Sequence, residues 1–323
     1  MAGDQGQHGE GGGGHGTRAV IAALLANLGI AAAKLVGFLI TGSSSMLAES
    51  LHSVADSGNQ AVLLIGGRLA RKGDDAKHPF GHGGTRFFAA FLVAVVLFTL
   101  GSLFSLWEGY QKLTHTHELE SPLIAISILV VALVLEGLSL RTAVRESAPF
   151  KGELSWWQFI RRTKKPELAV VLLEDTAAEF GLAFALVGVS VAAMTHNPVW
   201  DALGTLAIGA LLGVVAVILA IEMQSLLLGE AATPREQTAI REAITCTPGI
   251  ERVLHLRTMY LGPEDLLVAS TIQMAPDLSA EKAAATIDQA EAKLREVVPT
   301  ARIVYLEPEV ADEPVQAQVQ ERA

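Results

Sequence analysis

His52 and Asp56 stand four residues apart in the stretch Glu49-Ser50-Leu51-His52-Ser53-Val54-Ala55-Asp56-Ser57-Gly58-Asn59. On a helix that spacing stacks the two side chains one turn apart on one face. The run around them, from about Ser45 to Ala70, reads as a membrane span. Ionisable groups at that depth are costly and face a protein interior rather than lipid. An imidazole and a carboxylate so placed either bond each other inside a helix bundle or offer nitrogen and oxygen ligands to a divalent cation. A second acidic cluster, Leu173-Glu174-Asp175-Thr176-Ala177-Ala178-Glu179, lies in a later apolar run. There Asp175 and Glu179 share a face, while Glu174 is turned by about 100°. Three acids in one span need counter-charge, and the span itself holds no basic residue. A bound cation, a proton, or both would neutralise them. With His52 and Asp56 opposite, the set mixes nitrogen and oxygen in a way that suits zinc (Zn2+), with Fe2+ and Co2+ as rivals; a pure oxygen site would favour Mn2+ or magnesium.

Six apolar runs must position these groups. They cover about Ala19 to Ile40, Ser45 to Ala70, Phe87 to Tyr110, Leu123 to Leu140, Leu168 to Met194 and Val199 to Leu228. Each is long enough to cross a bilayer as a helix. Lys34, in the first, is expected to snorkel or to face a polar bundle interior. Glu136, in the fourth, is expected to pair with Arg141 or Lys34, or to serve a proton path. Asp201 opens the sixth and suits a helix N-terminus better than a ligand site.

Loop charge orients the bundle. Arg68, Arg71, Lys72, Lys77 and Arg86 follow the second run, and Arg141, Arg145, Lys151, Arg161, Arg162, Lys164 and Lys165 follow the fourth. The opposite loops together carry only Lys112. The side rich in lysine and arginine is the cytoplasm, so both termini are expected there, with the protein in the cell (inner) membrane.

The remaining segments are polar. Residues 1–16 read as a disordered Gly- and His-rich tail, 17–229 as the membrane domain, 230–309 as a cytoplasmic domain and 310–323 as a second disordered tail. Within 230–309 the pattern predicts helix, strand, strand, helix, strand: Pro234 to Cys246, Ile250 to Met259, Leu266 to Met274, a helix capped by Ser279 and running to about Val297, and Ala301 to Leu306. That order implies a small α+β sandwich. In the loop after the second run, Asp75, His78 and His82 are spaced to hold a cation at the surface, or to stand solvated in a loop. His115 and His117 read as solvated.

The net charge of −10, with no basic stripe, does not suggest a nucleic-acid binder, and the single Cys246 excludes a disulfide framework or a cysteine metal cluster. An intramembrane metal hydrolase would need a motif such as His-Glu-x-x-His, which is absent, so the chain does not read as an enzyme. A channel is disfavoured because the acids are not arranged as a ring.

Taken in order, the Gly42-Ser43-Ser44-Ser45 turn, the AESLHSVADSGNQ segment, the His78-Pro-Phe-Gly-His82 loop, the acidic fifth run, NPVWDALG and the small C-terminal domain resemble the cation diffusion facilitator family. LLEDTAA and NPVWD resemble a subgroup that includes a mitochondrial zinc transporter of animals. The resemblance covers about Thr17 to Glu309. It implies a six-helix transmembrane bundle with a ferredoxin-like, metallochaperone-like cytoplasmic domain, acting as a homodimeric, proton-coupled exporter of divalent metal. It implies His52, Asp56 and Asp175 as transport ligands, and Asp75, His78 and His82 as a loop site. Val171 stands where zinc-transporting members carry a histidine, so Glu174, Glu179, Asn59 or water must complete the set; Glu179 is expected, because it stays on the Asp175 face. In the C-terminal domain His255 and Glu307 fall at or near family ligand positions, but Gln273 and Tyr305 replace histidines. A non-transporting metal sensor or scaffold is the alternative.

Overall fold

The computed structural model describes residues 28–115, 121–276 and 278–310. The expected tails, the first part of the first span and His117 lie outside them. Two compact units divide the chain. One holds the sequence up to Ile65 with Ala89–Glu222, the other Gly66–Phe88 and everything from Met223.

The first unit is helical. Helix α1 (Leu28–Thr41) is followed by α2 (Ser44–Ala70). Next come α3 (Thr85–Leu92) and α4 (Thr99–Thr114), joined through a π-helical turn, Val93–Phe98, into one rod. After them lie α5 (Pro122–Lys151), the short α6 (Trp156–Arg162), α7 (Pro166–Thr195) and α8 (Val199–Leu228). Four helices, Thr85–Thr114, α5, α7 and α8, are long and apolar enough to cross a membrane.

Helix α2 is long enough but too polar to count among them, because it carries its polar side chains inward. Glu49, Ser50, His52, Ser53, Asp56, Ser57 and Asn59 are all buried, while Leu51 and Val54 are exposed. In α1 the buried positions Ala31 and Lys34 are three apart, one helical face, while Leu35, Val36 and Leu39 are exposed. Between α4 and α8 small residues set the spacing: Ser102 Oγ donates to the Gly209 carbonyl at 2.7 Å, and a Cβ on Gly209 would meet the Leu106 backbone nitrogen at 2.9 Å.

Two elements depart from expectation. Helix α5 continues well past Leu140 to Lys151, carrying Pro149 in its last turn, and Gly152, with φ 55°, ends it. The segment after it, expected as loop, holds α6. Ser155 starts that helix by accepting from the Gln158 backbone N–H, while Gln158 accepts from the Ser155 N–H at 3.1 Å.

The second unit holds the C-terminal α+β domain: α9 (Pro234–Thr245), β1 (Ile250–Gly262), β2 (Asp265–Met274), α10 (Ala280–Val297) and β3 (Ile303–Val310). The expected element order holds, and Thr233 and Ser279 are the N-caps. Strand β2 is central, antiparallel to β1 and parallel to β3, the parallel pairing needing the α10 crossover. Its residues alternate buried and half-buried, as a strand covered on one face by helices requires. Strand β3 runs past the expected Leu306, because Thr271 and Ile272 of β2 still offer partners to Glu307 and Pro308.

Candidate metal centre

The turn before α2 sets the entry of its polar face. Gly42, with φ 64°, closes α1 by donating its N–H to the Phe38 carbonyl at 2.7 Å. Ser43 then caps α2, accepting from the Met46 N–H at 3.3 Å. The carboxylate of Asp201, in the first turn of α8, accepts from Ser43 Oγ at 2.8 Å, Ser44 N at 2.8 Å, Ser44 Oγ at 3.0 Å and Ser45 N at 3.3 Å. Asp201 therefore sits at a helix N-terminus, as expected, and also caps α2 from another helix. Lys112 of α4 donates to the Gly42 carbonyl, fastening the same turn.

One and two turns on, His52 Nδ1 lies 3.5 Å from Asp56 Oδ1. Across from them, the Glu174 carboxyl faces the side chains of Asn59 and Asp56. Two buried carboxyls facing each other need a proton or a cation between them. Asp56 Oδ1, Asn59 Oδ1 and Glu174 Oε2 are buried oxygens with no hydrogen-bond partner among the described residues. Electron-rich oxygens lacking a donor suit a divalent cation, and the neighbouring imidazole supplies a nitrogen.

The other two acids of α7 turn elsewhere. Asp175 Oδ2 accepts from Ser139 Oγ of α5 at 3.0 Å. The Glu179 carboxylate lies against Gly137 of α5, where an added Cβ would be 3.6 Å away. Adjacent residues on a helix point about 100° apart, so Glu174 and Asp175 meet different neighbours. The neighbour of Asp56 is thus Glu174 rather than Glu179. The five residues do not close around one point here.

Lys34 and Glu49 complete this polar interior. Lys34 Nζ donates to Glu49 Oε2 at 3.1 Å and to Ser53 Oγ at 2.8 Å, with Glu136 Oε1 at 3.8 Å. Glu136 thus pairs with Lys34, not Arg141. Glu49 was assigned no role from the sequence, although its place three residues before His52 on the same helix was the signal that could have found it. Its second oxygen needs Gly181 of α7, since a Cβ there would lie 2.5 Å away. Lys34→Met leaves two buried carboxylates sharing no cation. A loss of roughly 3–5 kcal/mol is expected, read as a lowered melting temperature in detergent, with Lys34→Met/Glu49→Gln recovering part of it.

In the second unit, Asp75, His78 and His82 converge with ligand atoms all within 4.8 Å of one another, and they are the one such His/Cys/Asp/Glu group among the described residues. Asp75 Oδ1 accepts from the backbone N–H of Lys77 at 2.8 Å and of His78 at 2.7 Å. The His78 N–H, above all, holds the Asp75 carboxyl below the usual carboxylate range. His78 Nδ1 stands 3.1 Å from Asp75 Oδ1, and His82 Nε2 stands 3.6 Å from Asp75 Oδ2. Ligand atoms of a tetrahedral zinc are about 3.3 Å apart, so little movement is needed. If His82 Nδ1 donates to the Gly73 carbonyl 3.1 Å away, its Nε2 lone pair is left for a metal. Close backbone approach carries this loop on the β1–β2 hairpin: a Cβ on Gly262 would sit 2.7 Å from Gly83 Cα. His82→Ala is expected to weaken zinc binding at the loop at least ten-fold, roughly, measured by calorimetry in an Asp56→Ala background. Held below the usual carboxylate range, Asp75 should stay ionised and available as a ligand as the pH falls.

In the C-terminal domain Gln273 is held at both ends, accepting from Arg252 Nε at 2.5 Å and donating to Glu251 at 2.8 Å. His255 pairs with Thr271 in the ladder, and Thr271 Oγ1 is 3.5 Å from Glu307 Oε2.

A model of the cation efflux transmembrane domain matches residues 20–228, and one of the cation efflux protein cytoplasmic domain matches 232–309. The chain belongs to the cation efflux family. It is therefore a member of a transporter family, a multi-pass membrane protein with at least four apolar spans and a cytoplasmic C-terminal domain, and not an enzyme. It is 34% identical over 232 residues to the "Proton-coupled zinc antiporter SLC30A9, mitochondrial" of Xenopus laevis, covering 71% of this chain and 41% of that protein. It is 31% identical over 252 residues to "Metal tolerance protein C4" of Arabidopsis thaliana, covering 77% of this chain and 55% of that protein. The chain thus spans about half the length of these relatives, or less. A solved C-terminal domain of MamM matches 25% of this chain and all of its own length at 25% identity, with a TM-score of 0.24.

Proposed function

We propose that this cation efflux protein is a proton-coupled antiporter that exports divalent metal, zinc first, from the cytoplasm. It would work as a homodimer in the cell membrane, with α1, α2, Thr85–Thr114, α5, α7 and α8 as its six spans. The observation that carries the reading is that the buried carboxyls of Asp56 and Glu174 face each other beside His52, with oxygens that have no hydrogen-bond partner among the described residues. Cytoplasmic metal displaces protons from this cluster. Asp175 joins the set by exchanging the Ser139 hydroxyl for the metal. Protons from the far side then compete the metal off, since both occupy the same atoms. Glu174 takes the fourth position, where Val171 offers no ligand. Asp75, His78 and His82 gather metal at the cytoplasmic face, and the C-terminal domain pairs two copies.

The test is zinc uptake into proteoliposomes under an imposed pH gradient. Flux that follows the gradient supports an antiporter. Zinc flux indifferent to the gradient removes the proton coupling. Absence of zinc flux moves the assay to iron, cobalt and manganese, and failure of all four favours a metal sensor or scaffold.

A further inference from the structure

The last turns of α5 and the segment joining it to α7 form a cationic, aromatic stretch in an otherwise acidic protein. Residues 141–165 hold seven lysines and arginines against two glutamates, in a chain of net charge −10. The short helix α6 organises it. Phe159 and Ile160 are buried and anchor the helix, while Trp157 is 50% exposed and the nearby Phe150 is 52% exposed. Large aromatics left in contact with the surroundings beside several cations are the make-up of a membrane interface. The position agrees. Helix α8 leads into the cytoplasmic domain, α7 precedes it through a short turn, and α6 therefore lies where α7 begins, at the cytoplasmic boundary.

The patch is shaped as well as charged. Trp157, Gln158, Arg161 and Arg162 line a cleft of about 390 Å³. Arg161 is oriented by Glu222 of α8, whose Oε1 is 3.0 Å from its Nε. Arg162 is exposed and has no ion pair among the described residues. Lys165 stands 3.8 Å over the Phe150 ring, and Lys151 5.3 Å over that of Trp156. Guanidinium groups recognise phosphate oxygens through paired N–H donors, and an indole at the interface lies along acyl chains and glycerol.

We propose that this cleft binds the headgroup of an anionic phospholipid in the cytoplasmic leaflet, its phosphate on Arg161 and Arg162 and its glycerol and upper acyl chains against Trp157. The lipid would tie α6 to the ends of α7 and α8. This stands independently of which metal is carried.

The test uses the full chain in detergent, with phosphatidylglycerol or phosphatidylcholine added, and native mass spectrometry counting retained lipids. Wild type should retain phosphatidylglycerol about ten-fold over phosphatidylcholine. Gln158→Glu keeps the capping box with Ser155 and places a carboxylate in the cleft, so it should abolish that preference without unfolding α6. Arg162→Gln should reduce it, and Arg162→Lys, which keeps the charge but loses the paired donors, should reduce it less. Arg141→Gln/Arg145→Gln removes two cations of α5 that do not line the cleft and should leave the preference intact. Equal retention of both lipids by wild type overturns the proposal. So does an unaltered preference in Gln158→Glu, or an equal loss in Arg141→Gln/Arg145→Gln, which would assign the effect to diffuse charge.

Discussion

Zinc uptake into proteoliposomes is expected to fall roughly 100-fold or more when Asp56 is replaced by alanine, because both the cation and the proton lose a ligand at once. Asp56 meets His52 at 3.5 Å and also faces Glu174, a position no other acid shares among the described residues. The geometry further ranks the acids of α7. Glu174→Gln should impair transport more than Glu179→Gln, since Glu174 reaches Asp56 while Glu179 lies against Gly137. Asp175→Ala should also abolish transport, by removing the ligand that closes the set. Initial rates at several external pH values read all four variants. Full, pH-insensitive uptake in Asp56→Ala would move the transport site elsewhere. Equal loss in Glu174→Gln and Glu179→Gln would undo the ranking.

Asp201→Ala should be the most destabilising single change at the opposite end of the bundle. Its carboxylate accepts from Ser43, Ser44 and Ser45, two of these bonds coming from backbone N–H groups at the start of α2. Without it those donors are buried and unpaired, since the site is closed to solvent. Hydrogen bonds to a charged acceptor and the penalty for orphaned donors together set the loss at roughly 3–5 kcal/mol. Asp201→Asn keeps one acceptor oxygen and should lose about half of that. Thermal unfolding in detergent measures both. A melting temperature unchanged in Asp201→Ala would mean that α2 is capped by other groups.

Much of this architecture was legible along the chain, because its signals are local. Apolar runs of bilayer length announce the spans, and the lysines and arginines on one set of loops orient them. Ser279 and the Thr233-Pro234 pair mark helix starts by capping chemistry. Helix α6 was missed, since seven residues leave too little periodicity to detect, although the Ser155–Gln158 pair was there to be read. The inward pairing of Lys34 was foreseen only as one of several options, because the sequence holds no record of which helices become neighbours.

That distinction divides the molecule. The sequence by itself determined the chemistry available: an imidazole and a carboxylate one turn apart in α2, three acids in α7, and an Asp75, His78, His82 loop compact enough to converge through its own turn. Only the tertiary structure decided which of these groups meet. It turned Glu174 toward Asp56 and left Asp175 with Ser139, gave Lys34 to Glu49 and Glu136, and set Asp201 over the start of α2. Helical spacing defines the face of one helix, but the rotation of each helix against its neighbours follows from packing the small residues and from pairing buried polar groups such as Lys34 and Asp201, while oxygens of Asp56, Asn59 and Glu174 are left open at the centre.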